Sequence, residues 1–234
     1  MNNKLKRIIC SFLTVLMLFS LVGNCAVLPA YAVDACGYDP AKTMSELALS
    51  SQEAEAGKSY SISNTDELCK FAEYVNAGKL TAGVTFYMTS DIKLTDVSWT
   101  PIGVTASCAF AGVFDGCGYA VLKLSSDTQE NSRALFGFVG GSSAEIKNLG
   151  VEGIVNGETD AGIVANLDGA KIANCWNAVK VTGTYTVGGI AANVNNGTIT
   201  NCCNFGYIEG TSDIGAVAGS IKGNSVVEYS YYAY

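Results

Sequence analysis

The chain has 234 residues, no histidine, 14 Lys and Arg against 21 Asp and Glu, and a net charge of −7. So acidic a surface excludes nucleic acid and anionic lipid as partners, because phosphate binding rests on clustered Lys and Arg. Without histidine there is no Ser-His-Asp or Cys-His centre and no His-based metal site, and no cofactor is expected.

Residues 1–32 read as an export signal. Lys4, Lys6 and Arg7 open it, Ile8 to Val22 is an apolar run too short for a membrane span, and Ala30-Tyr31-Ala32 is an A-x-A cleavage site. The alternative, lipidation at Cys25, is disfavoured by Asn24 where a small residue belongs. Residues 33–58 form a polar, unpatterned lead-in. From Asn64 the pattern turns helical: Asn64 caps, Glu67 is the reciprocal partner, Leu68, Phe71, Ala72 and Val75 make one apolar stripe, and Gly78 ends it. This predicts a helix over 65–77 that lids one end of a sheet structure, within an N-terminal cap and first irregular coil at 59–120.

The regular part, 121–234, carries a repeat. Ile146-Lys147-Asn148-Leu149 recurs as Ile172-Ala173-Asn174-Cys175, as Ile199-Thr200-Asn201-Cys202, and more weakly as Val227-Glu228-Tyr229-Ser230. The spacings are 26, 27 and 28 residues. A fixed period of this size marks a solenoid, whose units bury their apolar faces only by stacking. Val and Ile at the in-phase apolar positions, and the lack of a 3.6-residue stripe, make the units sheet rather than helix. Val155, Val181 and Ile208 share one phase; Val164, Ile190 and Val217 share another; Gly157, Gly183 and Gly210 a third. Unit lengths that drift by one imply that the variation is absorbed in a single turn. Asn148, Asn174 and Asn201 are expected to form a hydrogen-bonded structural ladder.

Signal removal leaves an odd set of cysteines: Cys36, Cys69, Cys108, Cys117, Cys175, Cys202 and Cys203. None has the paired C-x-x-C spacing of a zinc site. Cys175 and Cys202 share a phase about 4.8 Å apart, close enough to bridge, but are read first as buried thiols. Asp160, Thr186 and Asp213 share a phase, so the acids are interrupted; Glu209 stacks on Thr182 and Asn156, and Glu152 on Ala178 and Phe205. No phase places acids on neighbouring coils as a carboxylate enzyme requires, and Arg133 is the one arginine left after signal removal. The chain is therefore read as non-catalytic and without a metal site. Candidate ligand-binding residues are the aromatics Trp176, Tyr185, Phe205 and Tyr207, with Tyr231 and Tyr232 near the C-terminal edge. The terminal tyrosines, Tyr229 and Tyr234 included, are expected either to fold over that edge as a lid or to dock on a partner, a second copy among them.

Several of these stretches resemble secreted bacterial proteins with GLUG-type repeats. The resemblance is carried by Ile62-Ser63-Asn64-Thr65-Asp66-Glu67-Leu68, Trp99-Thr100-Pro101-Ile102-Gly103, Phe114-Asp115-Gly116, Leu135-Phe136-Gly137 and Val187-Gly188-Gly189-Ile190. Cys117 and Tyr119 stand where similar proteins usually have Asn and His. The resemblance implies an all-β, right-handed parallel β-helix, secreted or held at the cell surface, adhesin-like, with a glycan or a surface protein as partner. The competing expectations are a polysaccharide lyase or glycoside hydrolase with a carboxylate site, and a structural spacer.

Overall fold

The computed structural model describes residues 36–38, 42–49, 53–126 and 132–233; the expected export signal and Tyr234 lie outside them. Three parallel sheets wind into a β-solenoid of about six turns. Within each sheet the strand order follows the chain, so every turn adds one strand to the pile. Sheet A runs through Ser59–Ile62, Thr85–Met88, Val113–Asp115, Glu145–Lys147, Lys171–Ala173, Thr198–Thr200 and Val226–Glu228. Sheet B is built around Ala120–Ser126, Gly150–Ala161 and Trp176–Gly188, and sheet C around Phe136–Gly140, Val164–Asp168, Ala191–Asn195 and Ala218–Lys222.

The predicted column exists. Ile172 pairs with Ile146 on one side and Ile199 on the other, and the series continues to Phe114 and Phe86 below and Val227 above. The three isoleucines and both phenylalanines are fully buried. Each such side chain contributes about 1.5–3 kcal/mol, which no single turn could gather on its own.

Two boundaries differ from expectation. Sheet A already includes Ser59–Ile62 and Thr85–Met88 in register, so ordered turns begin well before residue 121. One of their inward columns is aromatic, running from Tyr60 through Phe86 to Phe114, where later turns have Ile146, Ile172 and Ile199. The lead-in holds a short strand, Lys42–Thr43, and helix α1 (Met44–Leu49), with Met44 and Leu47 buried. Helix α2 spans Thr65–Asn76; Asn64 Oδ1 accepts from the Glu67 N–H at 3.0 Å. Glu67 returns the bond to the N–H and hydroxyl of Ser63, both at 2.8 Å, one residue before the expected partner. Phe71 of α2 packs on Phe86, Phe110 and Phe114 with ring centroids 4.6–5.6 Å apart, covering the core at the N-terminal end.

The length drift is not confined to a single corner as expected: one step falls between Asn195, paired with Lys222, and Thr198, paired with Val226. Gly157 pairs with Gly183, but Thr159 pairs with Thr186, so the longer turn takes up its extra residue in the corner between them. Beyond this slip the expected phases move by one. Val164 pairs with Ala191, Ile163 bonds to Ile190, and Asp160 pairs with Val187 rather than Thr186.

Candidate ligand-binding face

Sheet B turns one surface outward along neighbouring turns. The strand Gly150–Ala161 pairs Glu152, Ile154 and Asn156 with Ala178, Lys180 and Thr182. The next turn adds Phe205, Tyr207 and Glu209 in the same order, fixed by the Val181–Ile208 and Thr182–Glu209 pairs. Strand alternation puts every second side chain on this surface, while Val155 and Val181 between them are buried. Ile154 is 52% exposed and Tyr207 54%. The Lys180 ammonium lies 5.7 Å from the Tyr207 ring centroid, a cation–π contact that orients the ring. Tyr185, 60% exposed, stands in the corner that closes the same strand. The face thus combines flat apolar rings with a cation, two carboxylates, an amide and a hydroxyl.

Of the aromatics singled out in the sequence, Tyr185 and Tyr207 are exposed and Phe205 is half-buried on this face. Trp176 is not a surface ring. It is 3% exposed, and a β-carbon on its strand neighbour Gly150 would collide with the indole. Glycine at 150 is what lets the largest ring of the sheet lie flat across the turn below. Tyr231 and Tyr232 form a strand paired with Cys203 and Asn204 and extend sheet B, so of their two expected roles the lid is not the one seen. Among the described residues nothing covers the final turn. Val187 and Val194 are buried, whereas Ile214 and Ile221, the next residues in their columns, are exposed. Ile154 and Lys180 were not among the sequence candidates; Lys180 sits 27 residues before Tyr207, a spacing that would have revealed it.

The Asn ladder forms as expected. Asn174 donates to Asn148 at 3.2 Å and Asn201 to Asn174 at 3.4 Å, and Asn148 ends it on Asp115 at 3.0 Å. All three asparagines have φ between 52° and 56°, the left-handed region that Asn tolerates best after Gly. Three further pairs follow the same logic: Asn166–Asn193, Asn177–Asn204 and Asp168–Asn195.

Cys36 and Cys117 form a disulfide; among the described residues Cys69, Cys108, Cys175, Cys202 and Cys203 form none, and the last three are buried. Beside the disulfide, Asp115 is a buried hub. It accepts from the Cys117 N–H, the Asn148 amide and the Tyr38 hydroxyl, and Lys147 stands 3.6 Å away. The Asp115 carboxylate and the two sulfurs lie within 4.8 Å of one another, but the sulfurs are bonded to each other and offer no thiolate to a metal. Burial pulls the Lys147 ammonium down, and Asp115 with Tyr38 more than offsets this, so its pKa is raised. Glu145 approaches the same Lys147 at 3.8 Å and Lys171 at 3.0 Å. Asp115 and Glu145 thus share Lys147, but Asp115 is buried with its partners in place.

Asp160 and Arg133 are adjacent across paired strands. Asp160 is completely buried, so no substrate reaches it. Among the described residues no helix is long and apolar enough to cross a membrane. These features define a parallel β-solenoid with one mixed aromatic and polar face. Comparison with protein-family models, curated proteins and solved structures finds no match for this chain.

Proposed function

We propose that this chain is a secreted, non-catalytic β-solenoid that binds an extracellular glycan through the outer face of sheet B, in the adhesin-like manner that its GLUG-type resemblance implies. The observation that carries the reading is the exposed group Ile154, Lys180, Tyr207 and Tyr185, flanked by Asn156, Thr182 and Glu209. Sugars present an apolar ring face and a rim of hydroxyls, and this surface offers stacking rings bordered by donors and acceptors. The non-catalytic reading is supported by the missing histidine and by the burial of Asp115 and Asp160.

The test is a glycan array probed with residues 33–234 of the wild type and of Tyr207→Ala and Tyr185→Ala. Binding that falls at least tenfold in either variant, with an unchanged circular dichroism spectrum, supports the reading. Binding unaffected by both substitutions removes this face from the account. No binding to any glycan favours the spacer.

A further inference from the structure

Asp160 is 0% exposed, and neither of its carboxyl oxygens makes a well-formed hydrogen bond; the backbone N–H groups of Arg133 and Gly157 approach it without completing one. It lies in the corner where the turn length changes. A β-carbon on Gly157 would come within 2.8 Å of Oδ1, and one on Gly183 within 2.9 Å of Oδ2, so two glycine backbones wall the carboxyl in. The following turns fill the same corner with hydrocarbon: Val187 lies over Asp160, and Ile214 over Val187. On the other side is Arg133, which also donates to the Asn156 carbonyl. The charged groups that act on Asp160 are Arg133, which attracts, and Glu158 on its own strand, which repels. The strand above presents Gly183, Thr186 and Val187, none of which titrates.

A carboxylate so poorly served by donors in such a place is strongly disfavoured, whereas a neutral carboxyl is tolerated. We propose that Asp160 is a pH-responsive fastener, closing the corner at 156–160 while it is neutral and loosening it when it ionises. Burial, outweighing the attraction of Arg133 and of the backbone N–H groups of Arg133 and Gly157, raises its pKa from 3.8 to about 7. The sign follows. Below about pH 4 the folded and unfolded chains are both protonated and the fastener is fully effective. Between about pH 4 and 7 the unfolded chain loses its proton and the folded chain keeps it, so stability falls; above about pH 7 the loss levels off. The corner at 183–187, which packs on Asp160, carries Tyr185. Loosening therefore reaches the ligand face, a consequence that rests on the proposed function, whereas the stability effect does not.

The experiment compares thermal unfolding of wild type, Asp160→Asn and Asp160→Val from pH 4 to 8.5, with Asp213→Asn as an exposed control. Relative to Asp160→Asn, the wild-type unfolding constant should rise up to ~10³-fold across this window, and the control should track the wild type. Parallel profiles for wild type and Asp160→Asn would overturn the proposal. Should the variants fail to fold, the wild-type carboxyl carbon of Asp160, followed by NMR, provides the second reading. A midpoint near neutrality supports the fastener; a midpoint near pH 4 overturns it.

Discussion

Replacing Asn174 separates two roles that one side chain plays at the corner of sheet A. Its amide links Asn148 and Asn201, and its backbone sits at φ 56°. The two hydrogen bonds are long and Asn174 is exposed, so each is worth about 0.5 kcal/mol, the low end of the usual range. An alanine at this φ adds roughly 1–2 kcal/mol of steric cost, which a glycine does not. Asn174→Ala should therefore lose about 2 kcal/mol and Asn174→Gly about 1 kcal/mol. For a chain of this size these correspond to Tm decreases of about 4–8 °C and 2–4 °C, read by circular dichroism melts. Equal losses in the two variants would show that the left-handed backbone carries no penalty here. No loss in either would show that the ladder adds nothing to the stack.

Two other expectations follow from the same packing. Tyr229 holds φ 48° at the position that Asn occupies in three earlier turns; Tyr229→Asn should raise Tm by about 2–4 °C, from roughly 1 kcal/mol of relieved strain, and an unchanged or lower Tm would contradict it. The Cys36–Cys117 disulfide closes a sequence separation of 81 residues, so Cys36→Ser should cost about 4 kcal/mol by the chain-entropy relation, measured as a lower denaturant midpoint; a midpoint insensitive to both the substitution and reductant would refute that.

The solenoid was legible because stacking makes sequence period and spatial register the same quantity. Ile146, Ile172 and Ile199 could be aligned by counting alone, and so could Asn148, Asn174 and Asn201. Counting failed where the turn length changes. The extra residue between Gly183 and Thr186, opposite Gly157 and Thr159, moves Asp160 from the expected column with Thr186 and Asp213 into one with Arg133, Val187 and Ile214. A fixed period cannot locate such a slip, because only the hydrogen-bonded partners show which side of the corner absorbs it. Trp176 was misread for a related reason: alternation does not distinguish a ring pointing outward from one laid over a glycine in the neighbouring turn. The early strands could be read singly, but not as part of the repeat. Phe86 and Phe114 hold the column that Ile146, Ile172 and Ile199 hold later, and Phe71 of α2 packs on both.

The sulfur bridge also determines how the chain would bear a load. If the polypeptide is stretched from its two ends, tension arriving at Cys36 passes through the bridge to Cys117 and bypasses everything between them. Helix α2 and the first strands of sheet A then hang outside the line of force, shielded from unwinding. Pulling begins at the turn that starts after Cys117, where each further strand must be peeled from an already stacked neighbour.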